Sequence, residues 1–437
     1  MRQSHLATLI ASALFSLGAQ GADLLQVYQQ ALTNDAQFAS ARSSLTAGQE
    51  RLPQAKSTLL PTIGISGTNT RNDGPSPYTG KNISYNSSTY TLSLNQALYR
   101  PAYWESYEQG KLSVAISQAQ FEQAKQDLIL RTAQAYFDVL AAEDALIFTK
   151  AQKEATTEQL ASAKRNFEVG TQTITDTHEA QAAYDLVVSQ EFTAINTLEV
   201  RRTALQQIIG TAPGGLATLR AGAKISSPEP AKIDSWVETA EKRSNSVVIS
   251  QFSLESAKRE ITKDRAGHKP TLDLVASSTY SASGPLVNLG SGTSSTTNSV
   301  GVRWNIPLYA GNAVTSKVRE SIALEEKARF DLENAKRTAA QAARTAFSGV
   351  NNGLAQVKAL EAAEVSSQSS LDSNKLGYQV GVRINIDVLN AQRQLYSTRR
   401  DLAQARYDTI MNGLRLKAAA GVLREDDLNA INALLQN

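Results

Sequence analysis

Hydrophobic positions in this chain follow two periods, and each period predicts a different element. The cleaner is an alternation late in the chain. Val300, Val302, Trp304, Ile306 and Leu308 alternate with Gly301, Arg303, Asn305 and Pro307. A period of two predicts a strand with one apolar and one polar face. Leu272, Leu274, Ala276, Ser278 and Tyr280 form a similar run after Pro270. In the first half Pro61 opens a run through Ile63 and Ile65, and Tyr90, Leu92 and Leu94 alternate with Thr91, Ser93 and Asn95. Loops rich in Gly, Ser and Asn are expected at 71–88 and 281–298. The second period is helical. Ile129, Ala133, Tyr136, Leu140 and Ile147 step by four and three, with Glu143 at the missing position. Val188, Ile195, Leu198, Leu205 and Ile209 make a matching seam. Such heptad seams predict paired helices, over 101–166 with a return at 177–209, and over 313–376 with a return at 386–420. A helix of about 65 residues is roughly 100 Å long. Shorter helices are expected at 22–58, 232–263 and 426–435.

The order of these elements repeats. Pro61-Thr62-Ile63 recurs as Pro270-Thr271-Leu272, Leu98-Tyr99 as Leu308-Tyr309, and Val169-Gly170 as Val380-Gly381. Asp176 through Gln181 corresponds to Asp387 through Gln392. The spacing stays near about 210 residues, as a duplicated unit requires. The expected organisation is a secretory leader at 1–21, a first repeat at 22–227, a second at 228–420 and a C-terminal segment at 421–437. Arg2, the apolar stretch from Leu6 to Leu17 and Ala19-Gln20-Gly21 carry the leader reading.

Composition narrows the function. The 44 basic and 41 acidic side chains nearly cancel, which gives no basic face for nucleic acid. There is no cysteine, so thiol chemistry and zinc-thiolate sites are excluded. His5, His178 and His268 are scattered, and no metal site, cofactor site or catalytic cluster is expected. Past the leader no apolar run approaches the roughly 20 residues of a spanning helix, so membrane insertion would use strands.

Two readings of the strands compete: a soluble sheet on a core, and a membrane barrel with its apolar face toward lipid. Strand length favours the barrel, which needs about 9–11 residues per strand. Tyr99, Tyr280, Trp304 and Tyr309 are candidates for an interfacial aromatic belt. Four strands cannot close a barrel, because open edges in hydrocarbon cost several kcal/mol per unsatisfied group. Chains would pool strands, giving eight from two copies or twelve from three. A periplasmic coiled-coil adaptor without a pore is the alternative; two hairpins and spanning-type strands weigh against it.

Asp23-Leu24-Leu25-Gln26-Val27-Tyr28-Gln29-Gln30-Ala31, Leu59-Leu60-Pro61, Ala135-Tyr136-Phe137-Asp138-Val139-Leu140, Ala151-Gln152-Lys153-Glu154-Ala155, both Val-Gly turns, Gln368-Ser369-Ser370-Leu371-Asp372 and Ile386-Asp387-Val388-Leu389 carry a resemblance. On these motifs the chain resembles the TolC family of outer-membrane channel-tunnel proteins. The resemblance implies an α+β membrane protein: a homotrimer with a twelve-stranded barrel and a helical periplasmic tunnel. It also implies docking to a periplasmic adaptor and an inner-membrane transporter. Gate links would then fall on Thr175 and Asp176, on Tyr378 and Arg383, and on Gln159 with Lys375, where Lys375 replaces the family's carboxylate. Helix capping is the competing role for Thr175 and Asp176. Entrance selectivity would fall on Asp387 and Asn390, the latter uncharged where the family has an acid. That loss implies mild cation preference and weaker block by polyvalent cations. Adaptor contacts would involve Val169, Gly170 and Thr171, and Val380, Gly381 and Val382.

Overall fold

The computed structural model describes residues 21–75, 80, 82–220, 222–284 and 292–436. Nearly all of the expected leader lies outside the described residues. The helices are α1 (Leu24–Asn34), α2 (Ala36–Gln49), α3 (Arg51–Ser57), α4 (Pro101–Glu168), α5 (Ile174–Ile209), α6 (Ile233–Arg243), α7 (Asn245–Arg265), α8 (Ala313–Gln379), α9 (Asn385–Ala419) and α10 (Asp426–Asn432). The strands are β1 (Thr62–Pro75), β2 (Asn82–Tyr99), β3 (Thr218–Leu219), β4 (Thr271–Ser283), β5 (Thr293–Asn305) and β6 (Leu435–Gln436). The sequence of short helices, two strands and two long helices occurs twice.

The chain divides into two compact units. The first comprises residues 1–42, 121–247 and 336–437. Its core gathers Leu24 and Val27 of α1, Tyr136, Phe137 and Leu140 of α4, and Leu205 of α5, among others. Phe137 stacks on Tyr407 at 5.5 Å. The buried Tyr136 hydroxyl donates to the carbonyl of Ala217 at 2.7 Å and to that of Ala22 at 3.2 Å. The start of the described chain is thereby tied to the connector between the halves. The helix expected over 22–58 is broken at Asp35, whose backbone is extended. Its carboxylate accepts from the Phe38 amide at 2.6 Å and capping fixes the start of α2. Arg131 grips the same carboxylate with two bonds of 2.9 and 3.0 Å.

Ion pairs staple the long helices. Arg202–Glu143 at 2.9 Å and Lys153–Glu191 at 2.6 Å join α4 to α5, and Arg399–Glu364 at 3.0 Å joins α8 to α9. Such part-exposed pairs are worth about 0–1 kcal/mol each; the seam carries the packing. Ile129, Ala133, Tyr136 and Leu140 are buried as the heptads require, but Ile147 and Ile195 are exposed on the single chain.

The second unit comprises residues 43–120 and 248–335. It holds one antiparallel sheet in the order β1-β2-β4-β5. The strands outrun the expected ones, and the expected loops shrink accordingly. Pairing continues from Asn69↔Ser88 to Pro75↔Asn82 and from Ser281↔Ser295 to Ser283↔Thr293. These stretches are mostly polar, with Ile83 and Tyr85 the chief exceptions, so they show little alternation, yet their backbone ladder closes all the same. At the other end the β5 pattern was expected to reach Leu308, whereas the strand stops at Asn305 before Pro307, which lacks an amide to donate.

Candidate functional site

Register sorts the sheet residues onto two faces. Ile63 lies opposite Leu94, Leu94 opposite Ala276, and Ala276 opposite Val300. The next levels pair Ile65 with Leu92, and Leu274 with Val302. Ile63 (68 % exposed), Ile65 (79 %), Val300 (79 %) and Trp304 (69 %) are thus bare on one continuous apolar face. The other face carries Thr62, Ser66, Ser93, Thr91, Ser277 and Ser299, with cross-strand bonds such as Ser277–Ser299 at 2.9 Å. The apolar band runs from Leu272 opposite Trp304 up to Tyr280, which stacks on Tyr90 at 6.5 Å. That is roughly 26 Å of strand at ~3.3 Å per residue, at the lower end of the about 9–11 residues that a spanning strand needs. Aromatics mark both limits of the band, as interfacial residues do. No helix among the described residues is long and apolar enough to cross a membrane.

The hairpin tips lie in the first unit. At the α4–α5 turn Gly170 has φ +76°, and at the α8–α9 turn Gly381 has φ +80°. Both turns close the preceding helix with paired amide bonds: Thr171 to the Asn166 carbonyl at 2.9 Å, and Val382 to the Gly377 carbonyl at 2.9 Å. Val169, Val380 and Val382 are exposed.

The polar residues at the tips form a connected set. The N-cap of α5 is Thr173, not Thr175; Thr173 and Asp176 form a capping box. The Asp176 carboxylate accepts from the Thr173 amide at 3.1 Å and hydroxyl at 2.8 Å. Thr175 is exposed. The Tyr378 hydroxyl donates to Gln172 Oε1 at 2.8 Å and accepts from Asn166 Nδ2 at 3.4 Å, so α8 is linked to the α4–α5 turn by amides. Gln159 bonds Asn385 on α9. Buried Asn385 in turn donates to the Asp176 carbonyl at 3.1 Å. Lys375 is exposed and, among the described residues, makes no hydrogen bond or ion pair. Leu160, Ala163, Ala180 and Leu389 pack beneath this set and bring α4, α5 and α9 together.

Arg383 lies 3.8 Å from Asp387, one turn along. Asn390 accepts from Arg393 Nη2 at 2.7 Å. The sequence reading missed Asn166, Gln172, Asn385 and Arg393. Asn385 sits between Ile384 and Ile386 on the side of α9 that packs inward, and a polar residue there is the signal that was available. Among the described residues no His, Asp and Glu cluster could hold a metal.

A sheet bare and apolar on one side, polar on the other, joined in one chain to two long helical hairpins, defines a subunit of an outer-membrane channel-tunnel. The profile of the outer membrane efflux protein family matches residues 27–211 and 236–422. The chain is 36 % identical over 430 residues to "Outer membrane protein TolC" of Escherichia coli strain K12, covering 96 % of this chain and 86 % of that protein. It is 30 % identical over 451 residues to "Proteases secretion protein PrtF" of Dickeya chrysanthemi, covering 100 % and 96 %. Among solved structures the Campylobacter jejuni CmeC outer membrane channel superposes with a TM-score of 0.80 at 20 % identity, covering 94 % of this chain and 89 % of that one. The protein belongs to the outer membrane efflux protein family, in its TolC branch. It is a channel-tunnel protein of the outer membrane, which sets aside the pore-free adaptor reading.

Proposed function

We propose that three copies close a twelve-stranded barrel and pass cargo delivered by an inner-membrane transporter and a periplasmic adaptor. The two-faced sheet with open edges at β1 and β5 carries this reading. Its apolar face needs lipid, and its unpaired edges need further copies. The chain acts as a conduit rather than a catalyst. Its relatives include proteins named for protease secretion and for antibiotic efflux, and secreted proteins or drugs are the proposed cargo. The two repeats, 22–227 and 228–420, each supply one hairpin to the tunnel wall, and 421–437 braces it.

We place the resting gate at the hairpin tips. Tyr378 holds its own chain's α4–α5 turn through Gln172 and Asn166, and Asn385 holds Gln159 and the Asp176 carbonyl. Thr175, Lys375 and Arg383 remain exposed, available to a neighbouring copy. Asp387 and Asn390 line the entrance; Arg383 beside Asp387 and Arg393 on Asn390 leave that stretch of α9 with little net negative charge. The valine-glycine tips meet the adaptor. Single-channel recording of a Tyr378→Phe, Arg383→Ala variant tests the gate. The expected result is a conductance about tenfold above wild type, since bonds of this kind are worth about 1 kcal/mol each and act in concert across copies. Unchanged conductance would sink the gate assignment.

A further inference from the structure

On the polar face of the sheet, charge is confined to one level. The β1 and β2 residues there, behind the apolar band, are Thr, Ser, Asn and Gly, with Ala97 opposite Asp273. Arg71 and Asp73 pair at 3.4 Å and belong to the opposite face, by their register with Asn86 and Ser84. Among the described strand residues, the charged side chains on the polar face are Asp273 and Arg303, directly opposite each other in β4 and β5.

Asp273 is already engaged. Its Oδ1 accepts from Arg100 Nε at 2.7 Å and its Oδ2 from Arg100 Nη2 at 2.6 Å, and its side chain is only 4 % exposed. That bidentate pair ties the end of β2 to β4 and cancels its own charge. Arg303 is exposed, and among the described residues it has no carboxylate within ion-pair distance. One uncompensated positive charge per chain is left on a face that, beyond the Asp273 pair, is uncharged among the described strand residues.

We propose that Arg303 is the residue that sets the ion preference of the barrel lumen, favouring anions and the carboxylate or phosphate groups of passing cargo. The inference rests on the barrel reading, in which the apolar face meets lipid and Arg303 therefore faces water. A ring of like charges on the wall of an aqueous pore raises the local concentration of ions of opposite sign. Guanidinium is always charged and bonds planar oxyanions in a bidentate fork. It would act independently of Asp387, whose sign is opposite.

The test is the reversal potential of the purified full-length channel in planar bilayers under a KCl gradient. The expected result for Arg303→Gln is an anion-to-cation permeability ratio lower by about threefold, as removal of roughly half a kT of potential requires. Arg303→Lys should keep the wild-type ratio, and Arg303→Glu should lower it further than Gln. Arg303 makes no hydrogen bond or ion pair among the described residues and acts on the facing Asp273 only through its charge, so the Gln variant still assembles. Conducting variants with unchanged ratios overturn the inference and leave the channel reading standing. A wild-type oligomer that never conducts overturns both.

Discussion

Asp144 and Tyr407 show how one pair of side chains carries a pH dependence. The Tyr407 hydroxyl donates to Asp144 Oδ2 at 2.7 Å, between α4 and α9. Burial pushes the Asp144 carboxyl above its ordinary value, despite the hydroxyl that stabilises the charged form, and neighbouring Glu143 adds to the rise. Burial and the Asp144 charge likewise push the Tyr407 phenol up. The folded state therefore holds the Asp144 proton more tightly than the unfolded chain. Between the two values the folded state binds more protons, so this group makes stability fall as pH rises from about 4. An Asp144→Asn protein keeps an acceptor for Tyr407 and lacks the titration. Thermal melts at stepped pH should show the variant less sensitive over that range and at least as stable as wild type at neutral pH. A variant that melts lower at neutral pH, with an unchanged pH slope, would refute the assignment. Asp35 behaves oppositely. Burial opposes its charge, but Arg131 and the Phe38 amide outweigh that and hold it below the ordinary range. Its contribution is present above the unfolded value and is lost as pH falls through the folded one.

At the scale of elements, legibility followed periodicity. The helices α4 and α8 were readable to within a few residues because their seams repeat many times. The strands were readable only across the apolar band, since the pairing beyond Tyr280 has no contrast between faces. The breaks at Asp35 and Ser244 were not readable, because each is a single residue that leaves the helical region; at Asp35 a partner 96 positions away, Arg131, holds the carboxylate. At the tips the glycines were legible, while the partners of Tyr378 and Gln159 were not; these are contacts between residues more than 200 positions apart. The two tips also differ. The first turn of α5 is fixed by its capping box, whereas α9 has Ile384 at its N-cap position and no side-chain cap. Asn385, buried and bonded to α4 and α5, holds the start of α9 instead. An Asn385→Ala exchange strands the Asp176 carbonyl and the Gln159 amide, at a cost of about 1–3 kcal/mol. Amide hydrogen exchange should quicken across the first turn of α9 and leave the start of α5 nearly unchanged. Equal quickening at both would count against this division.

For the whole molecule, the edges of the sheet matter most. In each copy β1 and β5 present backbone groups that only another copy can satisfy in lipid. In the proposed trimer the joint would be heterologous, the β5 edge of one copy against the β1 edge of the next, and would close only when every copy takes part. The genetic consequence is dominance. Successive amides of a strand point to opposite sides, so one of Gly301 and Val302 in β5 directs its amide to the open edge. Proline there removes the donor while leaving the chain's own sheet paired. A cell making equal amounts of normal and altered chain would assemble, by chance mixing of three, only about one fully normal channel in eight. Export measured in such a merodiploid should fall far below half, and a decline to no less than half, with the altered chain recovered alongside the normal one in the same oligomer, would count against a shared barrel. A single defective allele would thus act as a poison rather than as a missing dose.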